Sequence, residues 1–230
     1  MCEVRESALF KTVFLQSAGA VLLLALLCPG ALHASERMAQ LPQFNGASQS
    51  LTADTRIVAH WVAAHADNQR LPFVIVDKKN ARAFVFDADR QLQGVTPVLL
   101  GLAIGDDGLE DLSGREVSSL RPEERTTPAG RFVGEPGRNL LGEDIVWFNY
   151  AAKLAIHRLR PDHQRERRAQ RLASVSALDN RISLGCIVVP VAFYDHVIRP
   201  VLGQGRSVIY VLPETRSLQG MLGTLQSSAY

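Results

Sequence analysis

Cysteine is scarce in this sequence: among 230 residues there are three, Cys2, Cys28 and Cys186. A count this low excludes a cysteine-built metal cluster and a dense disulfide framework. Aromatic residues are few, at 7%, and the formal net charge is only +2. The broad basic surface and stacking platforms of a nucleic-acid binder are therefore missing. There is no internal repeat and no low-complexity tract, which excludes a solenoid or a fibrous array. Nothing in the composition asks for a metal or a cofactor. What is present, 47% hydrophobic and 21% charged residues, is enough for one sizeable core.

Residues 1–34 read differently from the rest. Arg5 and Lys11 precede an apolar run centred on Val21-Leu-Leu-Leu-Ala-Leu-Leu27, followed by Pro29-Gly30 and by Ala31-Leu-His-Ala34. A charged start, a short apolar centre, a breaker and a small-residue end predict a secretory signal peptide cleaved after Ala34. The whole run, Val13 to Cys28, is short for a membrane span and is interrupted by Gln16 and Ser17. Leu27 and Pro29 on either side of Cys28 argue against lipid attachment. Contact with a membrane is thus expected only through this segment before cleavage, and the location is the periplasm or cell envelope. Cleavage would leave Cys186 as the one cysteine of the mature chain, unable to form an internal disulfide.

Residues 35–50 are polar and aperiodic, a leader. From Thr52, apolar residues at intervals of three and four (Ile57, Val58, Trp61, Val62) predict a helix that ends near Pro72, with Asp54 as its cap. The leader and helix make up 35–70. The period then changes to two: Phe73-Val-Ile-Val-Asp77, a turn at Lys78-Lys79-Asn80, and Ala81–Asp87 predict a hairpin, followed by a strand over 95–101. Residues 109–124 read as a charged surface excursion. Thr127-Pro-Ala-Gly-Arg-Phe132 turns into another strand, and 144–150 and 154–159 are β-prone. A stretch dense in arginine (Arg160, Arg165, Arg167, Arg168, Arg171) follows, either a site for carboxylates or a solvated basic loop. A short helix over 191–201 and a strand ending at Leu212 complete a mostly β domain over 71–213, leaving 214–230 as a peripheral tail.

Arg181-Ile-Ser-Leu-Gly-Cys-Ile-Val-Val-Pro190 is the stretch where chemistry is expected. Small residues beside Cys186 leave the sulfur uncovered, and the flanking aliphatics anchor the segment. A buried cysteine serving as a small hydrophobe is the competing reading. A thiol nucleophile needs a base, and His157, within a predicted strand, is the first choice; a core histidine bonded to a carbonyl is the alternative. Ser183 and the N–H groups of Leu184, Gly185 and Cys186 would support the oxyanion. Arg158 and Arg181 are the candidate contacts to substrate.

In their order, Phe73-Val-Ile-Val-Asp-Lys78, Thr127-Pro-Ala-Gly-Arg-Phe132, His157 and Ser183-Leu-Gly-Cys186 resemble the L,D-transpeptidases with a YkuD-type catalytic domain. The resemblance spans about residues 71–213. It implies a β-sandwich catalytic domain with a few short helices, Cys186 as nucleophile and His157 as general base. It also implies peptidoglycan stem peptides as partners, joined through an acyl-enzyme into 3–3 cross-links. The same chemistry with water as acceptor would make the protein a carboxypeptidase, an endopeptidase or an enzyme releasing wall-anchored proteins, and a wall-binding module with little activity is a third reading. The chain departs from the family pattern at Leu184, where the signature carries histidine, and at Val188, where a polar residue is common. It also carries the arginine-rich insert between His157 and Cys186.

Overall fold

The computed structural model describes residues 51–160 and 164–227. The predicted signal peptide and leader lie outside them. Helix α1 (Ala53–His65) opens the described chain. Its N-cap is Thr52, whose hydroxyl oxygen accepts from the Thr55 N–H (3.2 Å). The expected cap, Asp54, sits instead in the first turn, where its carboxylate suits the helix dipole and meets Lys79 (2.9 Å).

The strands are β1 (Phe73–Asp77), β2 (Arg82–Phe86), β3 (Leu92–Pro97), β4 (Leu100–Gly101), β5 (Gly130–Arg138), β6 (Asp144–Asn149), β7 (Leu154–Arg158), β8 (Arg181–Ser183), β9 (Ile187–Val189) and β10 (Ser207–Val211). Eight of them form one mixed sheet in the order β3-β2-β1-β10-β5-β6-β7-β9, and β4 pairs with β8 as a separate ribbon. The β1–β2 hairpin expected from the alternation is present, with Phe73 opposite Phe86.

Strand β5 bends the sheet. Gly130–Gly134 pair with β10, whereas Glu135–Arg138 pair with β6. At the bend the backbone comes so close to β10 that a Cβ on Gly134 would collide with the Ser207 hydroxyl. The two halves share an inner core, in which Val74, Val85 and Ile209 of one half join Val146, Ile156 and Ile187 of the other. The protein is thus mostly β, with a large bent sheet, short helices and an N-terminal helix.

The outer face of the first half carries the alternate residues Phe73, Ile75, Phe84, Val208 and Tyr210, covered by Val58 and Val62 of α1. The central strands are consequently buried on both faces and read as continuous apolar runs. Helix α2 is Arg168–Leu172. Residues 191–201 form α3, whose middle, Tyr194–Ile198, is wound as a π-helix. Helix α4 is Leu218–Ser227. Segment 214–230, expected to be a peripheral tail, is not one over its described part: Leu218 and Leu222 of α4 close the same outer core as α1. No helix among the described residues is long and apolar enough to cross a membrane.

Candidate active site

β7 and β9 lie side by side and parallel, with Ile156 opposite Ile187 and His157 opposite Val188. Cys186 stands one residue ahead of β9. This places the thiol one inter-strand spacing across, about 5 Å, and two residues along, about 7 Å, from the His157 backbone. Both side chains line one pocket of about 240 Å³. Further segments wall it: Leu112 and Leu120 of the 109–124 excursion, Asn139 after β5, Trp147 of β6, and Arg160 and Arg168 of the insert. The excursion, expected to be only a surface feature, therefore forms a wall of the site.

Among the described residues no hydrogen bond joins the thiol to the imidazole; the Cys186 Sγ instead faces the Lys153 carbonyl at 3.7 Å. The His157 Nδ1 is 2.8 Å from the Arg158 carbonyl oxygen. A carbonyl only accepts, so Nδ1 carries the proton and the Nε2 lone pair is left free. Burial is the largest influence on the ring and lowers its pKa to about 4, the Arg158 carbonyl opposing and Arg160 and Arg168 assisting. Burial likewise pushes the Cys186 thiol up, against the pull of the Ala155 N–H and the two arginines. Both groups are therefore neutral at pH 7.

The turn before the thiol is held by two hydroxyls. Ser183 Oγ donates to the Cys186 carbonyl (2.6 Å) and accepts from the Gly185 N–H (3.1 Å). Thr127 Oγ1 accepts from Gly101 N–H (2.8 Å) and donates to the Gly185 carbonyl (2.9 Å). Gly185 has φ +121°, and a Cβ there would stand 2.8 Å from the Thr126 carbonyl oxygen and 2.9 Å from Leu154. Only glycine fits both restraints. One expectation needs correction: the Gly185 N–H is taken by Ser183, so it is not a free oxyanion donor. The N–H groups of Leu184 and Cys186, which no described residue takes up, are the ones left.

Two other expected contacts are placed away from the pocket. The Arg181 guanidinium is buried and bound to Glu214 (3.1 Å through Nη1) and to the Lys78 carbonyl (2.9 Å). Arg158 is clamped between Asp144 (2.9 Å) and Asp195 (2.6 Å), over the Tyr194 ring at 4.0 Å. As the strand residue after His157, it leaves the opposite face of β7. Both arginines hold elements together, and neither lines the pocket; the Arg181 Nε is buried without a partner among the described residues.

The sequence reading did not find Lys78 as a site-supporting residue. Wholly buried, its Nζ donates to the carbonyls of Gly105 (2.5 Å) and Thr127 (2.9 Å) and to Asp106 (2.9 Å). Burial lowers its pKa against the pull of Asp106 and Glu214. For Asp106 burial acts upward, yet bonds from Thr215, the Glu214 N–H and Lys78 hold its carboxyl well below the usual range. No local pattern announces such a network, because Lys78, Asp106, Thr127 and Glu214 are far apart in the chain.

The described part of the insert is exposed at Arg165, Arg167, Ala169 and Gln170, but it is anchored at its end. Leu172 of α2 is buried with Leu99 and Val188, and Arg171 donates to the Glu166 and Asp179 carbonyls (3.0 and 3.1 Å). Val188, one of the departures from the family pattern, is thus the apolar seat of the insert helix.

No protein-family model and no curated protein matches the sequence. Among solved structures, the chain is similar to an L,D-transpeptidase from Xylanimonas cellulosilytica DSM 15894, with 16% identity and a TM-score of 0.36 over 61% of this chain and 60% of that one. It is similar to the catalytic domain of the E. faecium L,D-transpeptidase, with 15% identity and a TM-score of 0.36 over 61% of this chain and 95% of that one. It is also similar to the helical cell shape determining protein Pgp2 from Campylobacter jejuni, with 12% identity and a TM-score of 0.40 over 68% and 55%. The chain thus spans less than two thirds of the first and third of these structures, and overlaps this partial carry no residue-by-residue correspondence.

Proposed function

We propose that the protein is an exported cysteine acyltransferase of the L,D-transpeptidase type, acting on peptidoglycan stem peptides in the cell envelope. The observation that carries this reading is the tautomer of His157: its Nδ1–H is spent on the Arg158 carbonyl, leaving Nε2 as a base in the pocket that holds the Cys186 thiol.

With both groups neutral, the reaction starts by proton transfer rather than from a standing ion pair. As a peptide carbonyl approaches, Nε2 takes the thiol proton while the sulfur–carbon bond forms. The Leu184 and Cys186 N–H groups face the oxygen on which charge develops. The imidazolium returns its proton to the departing amine as the carbon–nitrogen bond breaks, leaving a thioester. An amine of a second stem peptide then attacks the thioester, losing its proton to His157 and freeing the thiol. Water in that last step gives a trimmed peptide instead of a cross-link.

Incubating the purified protein with tetrapeptide muropeptides and weighing the products tests this. Cross-linked dimers are expected, trimmed monomers would assign the hydrolytic course, and Cys186→Ala should form neither. Product from the Cys186→Ala protein would overturn the nucleophile, and no product from the unaltered protein would overturn the enzyme reading.

A further inference from the structure

The turn between β5 and β6 carries two leucines at its apex. The Gly142 N–H donates to the Asn139 carbonyl (3.0 Å) and the Asn139 N–H to the Glu143 carbonyl (3.0 Å), with Gly142 at φ +78°. This is a three-residue hairpin loop, a type I turn closed by a glycine in the left-handed region. Asn139 Oδ1 pins it by accepting from the Leu141 and Glu143 N–H groups (2.8 and 3.0 Å), and Arg138 Nη1 donates to the Gly142 carbonyl (2.9 Å). The central positions of such a turn are ordinarily polar. Here they are Leu140, wholly exposed, and Leu141, 73% exposed. One exposed leucine is commonplace; two side by side, held outward by a pinned turn, make an apolar point that the folding of the domain does not require.

The surroundings of this point are basic. Arg138 at its root is exposed, as are Arg165 and Arg167 of the insert. The insert lies beside the turn: Arg160 holds Glu143 at 2.8 Å, and Asn139, Arg160 and Arg168 line one pocket. Glu143, Asp144 and Glu166 are each paired with an arginine, so the exposed arginines set the sign of the charge around the tip.

We propose that the Leu140–Leu141 tip seats in the surface of an anionic lipid bilayer, the leucines entering the boundary between headgroups and acyl chains and the flanking arginines meeting lipid phosphates. Buried apolar area and charge attraction add together in such a contact. From sequence, membrane contact is expected only of residues 1–34; here the folded domain makes it. The contact does not depend on acyl transfer. Because Asn139 joins the tip to the Cys186 pocket, a seated tip holds that pocket near the lipid surface.

A tryptophan at the tip reads the contact locally, whatever residues 1–34 do. In Leu141→Trp, vesicles of phosphatidylcholine with about one third phosphatidylglycerol and brominated acyl chains should quench the added tryptophan, beyond any quenching of Trp61 and Trp147 in the unaltered protein. Adding Leu140→Ser, omitting phosphatidylglycerol or raising salt to about 0.5 M should each cut that extra quenching about threefold or more. The same quenching is expected with Cys186→Ala in place, so failure of the acyl-transfer reading leaves this test intact. No quenching beyond that of the unaltered protein would overturn the proposal, as would equal quenching without phosphatidylglycerol. A tip that instead joins two copies of the chain would show as a mass rising with concentration in light scattering, abolished by Leu140→Ser with Leu141→Ser, and would also overturn it.

Discussion

His157 is where the site's chemistry can be read most directly. Its ring is neutral because burial holds the pKa near 4, below the ordinary 6.5. The unfolded chain takes up this proton at a higher pH than the folded one does. Stability from this residue is therefore full above pH 6.5, falls as pH drops through the interval, and is lost below about 4. Thermal unfolding should show a loss between pH 6.5 and 4 that is smaller in His157→Gln; an unchanged profile would mean the ring is not buried neutral. If His157 is the base of the proposed acyl transfer, the acid limb of kcat/KM in the unaltered protein should fall near pH 4 rather than near 6.5, since a base must be unprotonated to act. That Cys186 and His157 line one pocket agrees with a reading in which each was marked by residue type and local pattern. Arg158 and Arg181, expected as substrate contacts, lie outside the pocket lining; for Arg158 the reason is strand alternation, which sends it to the face of β7 opposite His157.

At the scale of elements, the insert and β9 depend on each other. Helix α2 is five residues long, too short to stand alone, and Leu172 is its buried anchor. Leu172→Ala should cost about 2–4 kcal/mol by leaving a cavity over Val188, measured by urea unfolding. An unchanged urea midpoint in Leu172→Ala would show that the insert is fastened elsewhere. The hairpin β1–β2 and helix α1 were legible from periods of two and of three to four. The placement of the insert was not, because arginine-rich sequence announces its charge and not the single leucine that fastens it.

At the scale of the whole molecule, buried charges tie the ends of distant segments to the site. Lys78 follows β1, Asp106 and Thr127 lie on separate loops, and Glu214 follows β10; Lys78 reaches the carbonyl of Thr127, whose hydroxyl holds Gly185. Lys78→Ala leaves Asp106 and Glu214 without their ammonium partner and should destabilise the protein by about 3–5 kcal/mol, seen as a lower denaturant midpoint. It should also reduce kcat more than it raises KM, because the turn before Cys186 loses a support rather than a substrate contact. Full stability in Lys78→Ala would show that the network is dispensable.

Local sequence was enough for the β-rich domain, the hairpin, the first helix, and the glycine that the turn before Cys186 requires. Period, residue size and backbone freedom act over a few residues, and a linear reading captures them. Long-range packing settles that α4 closes the outer core, that Ser183 takes the Gly185 N–H, and that Arg160 and Arg168 rather than Arg158 and Arg181 line the pocket. Those outcomes depend on which strands pair and where the sheet bends at β5, relations between residues tens of positions apart that no local pattern encodes.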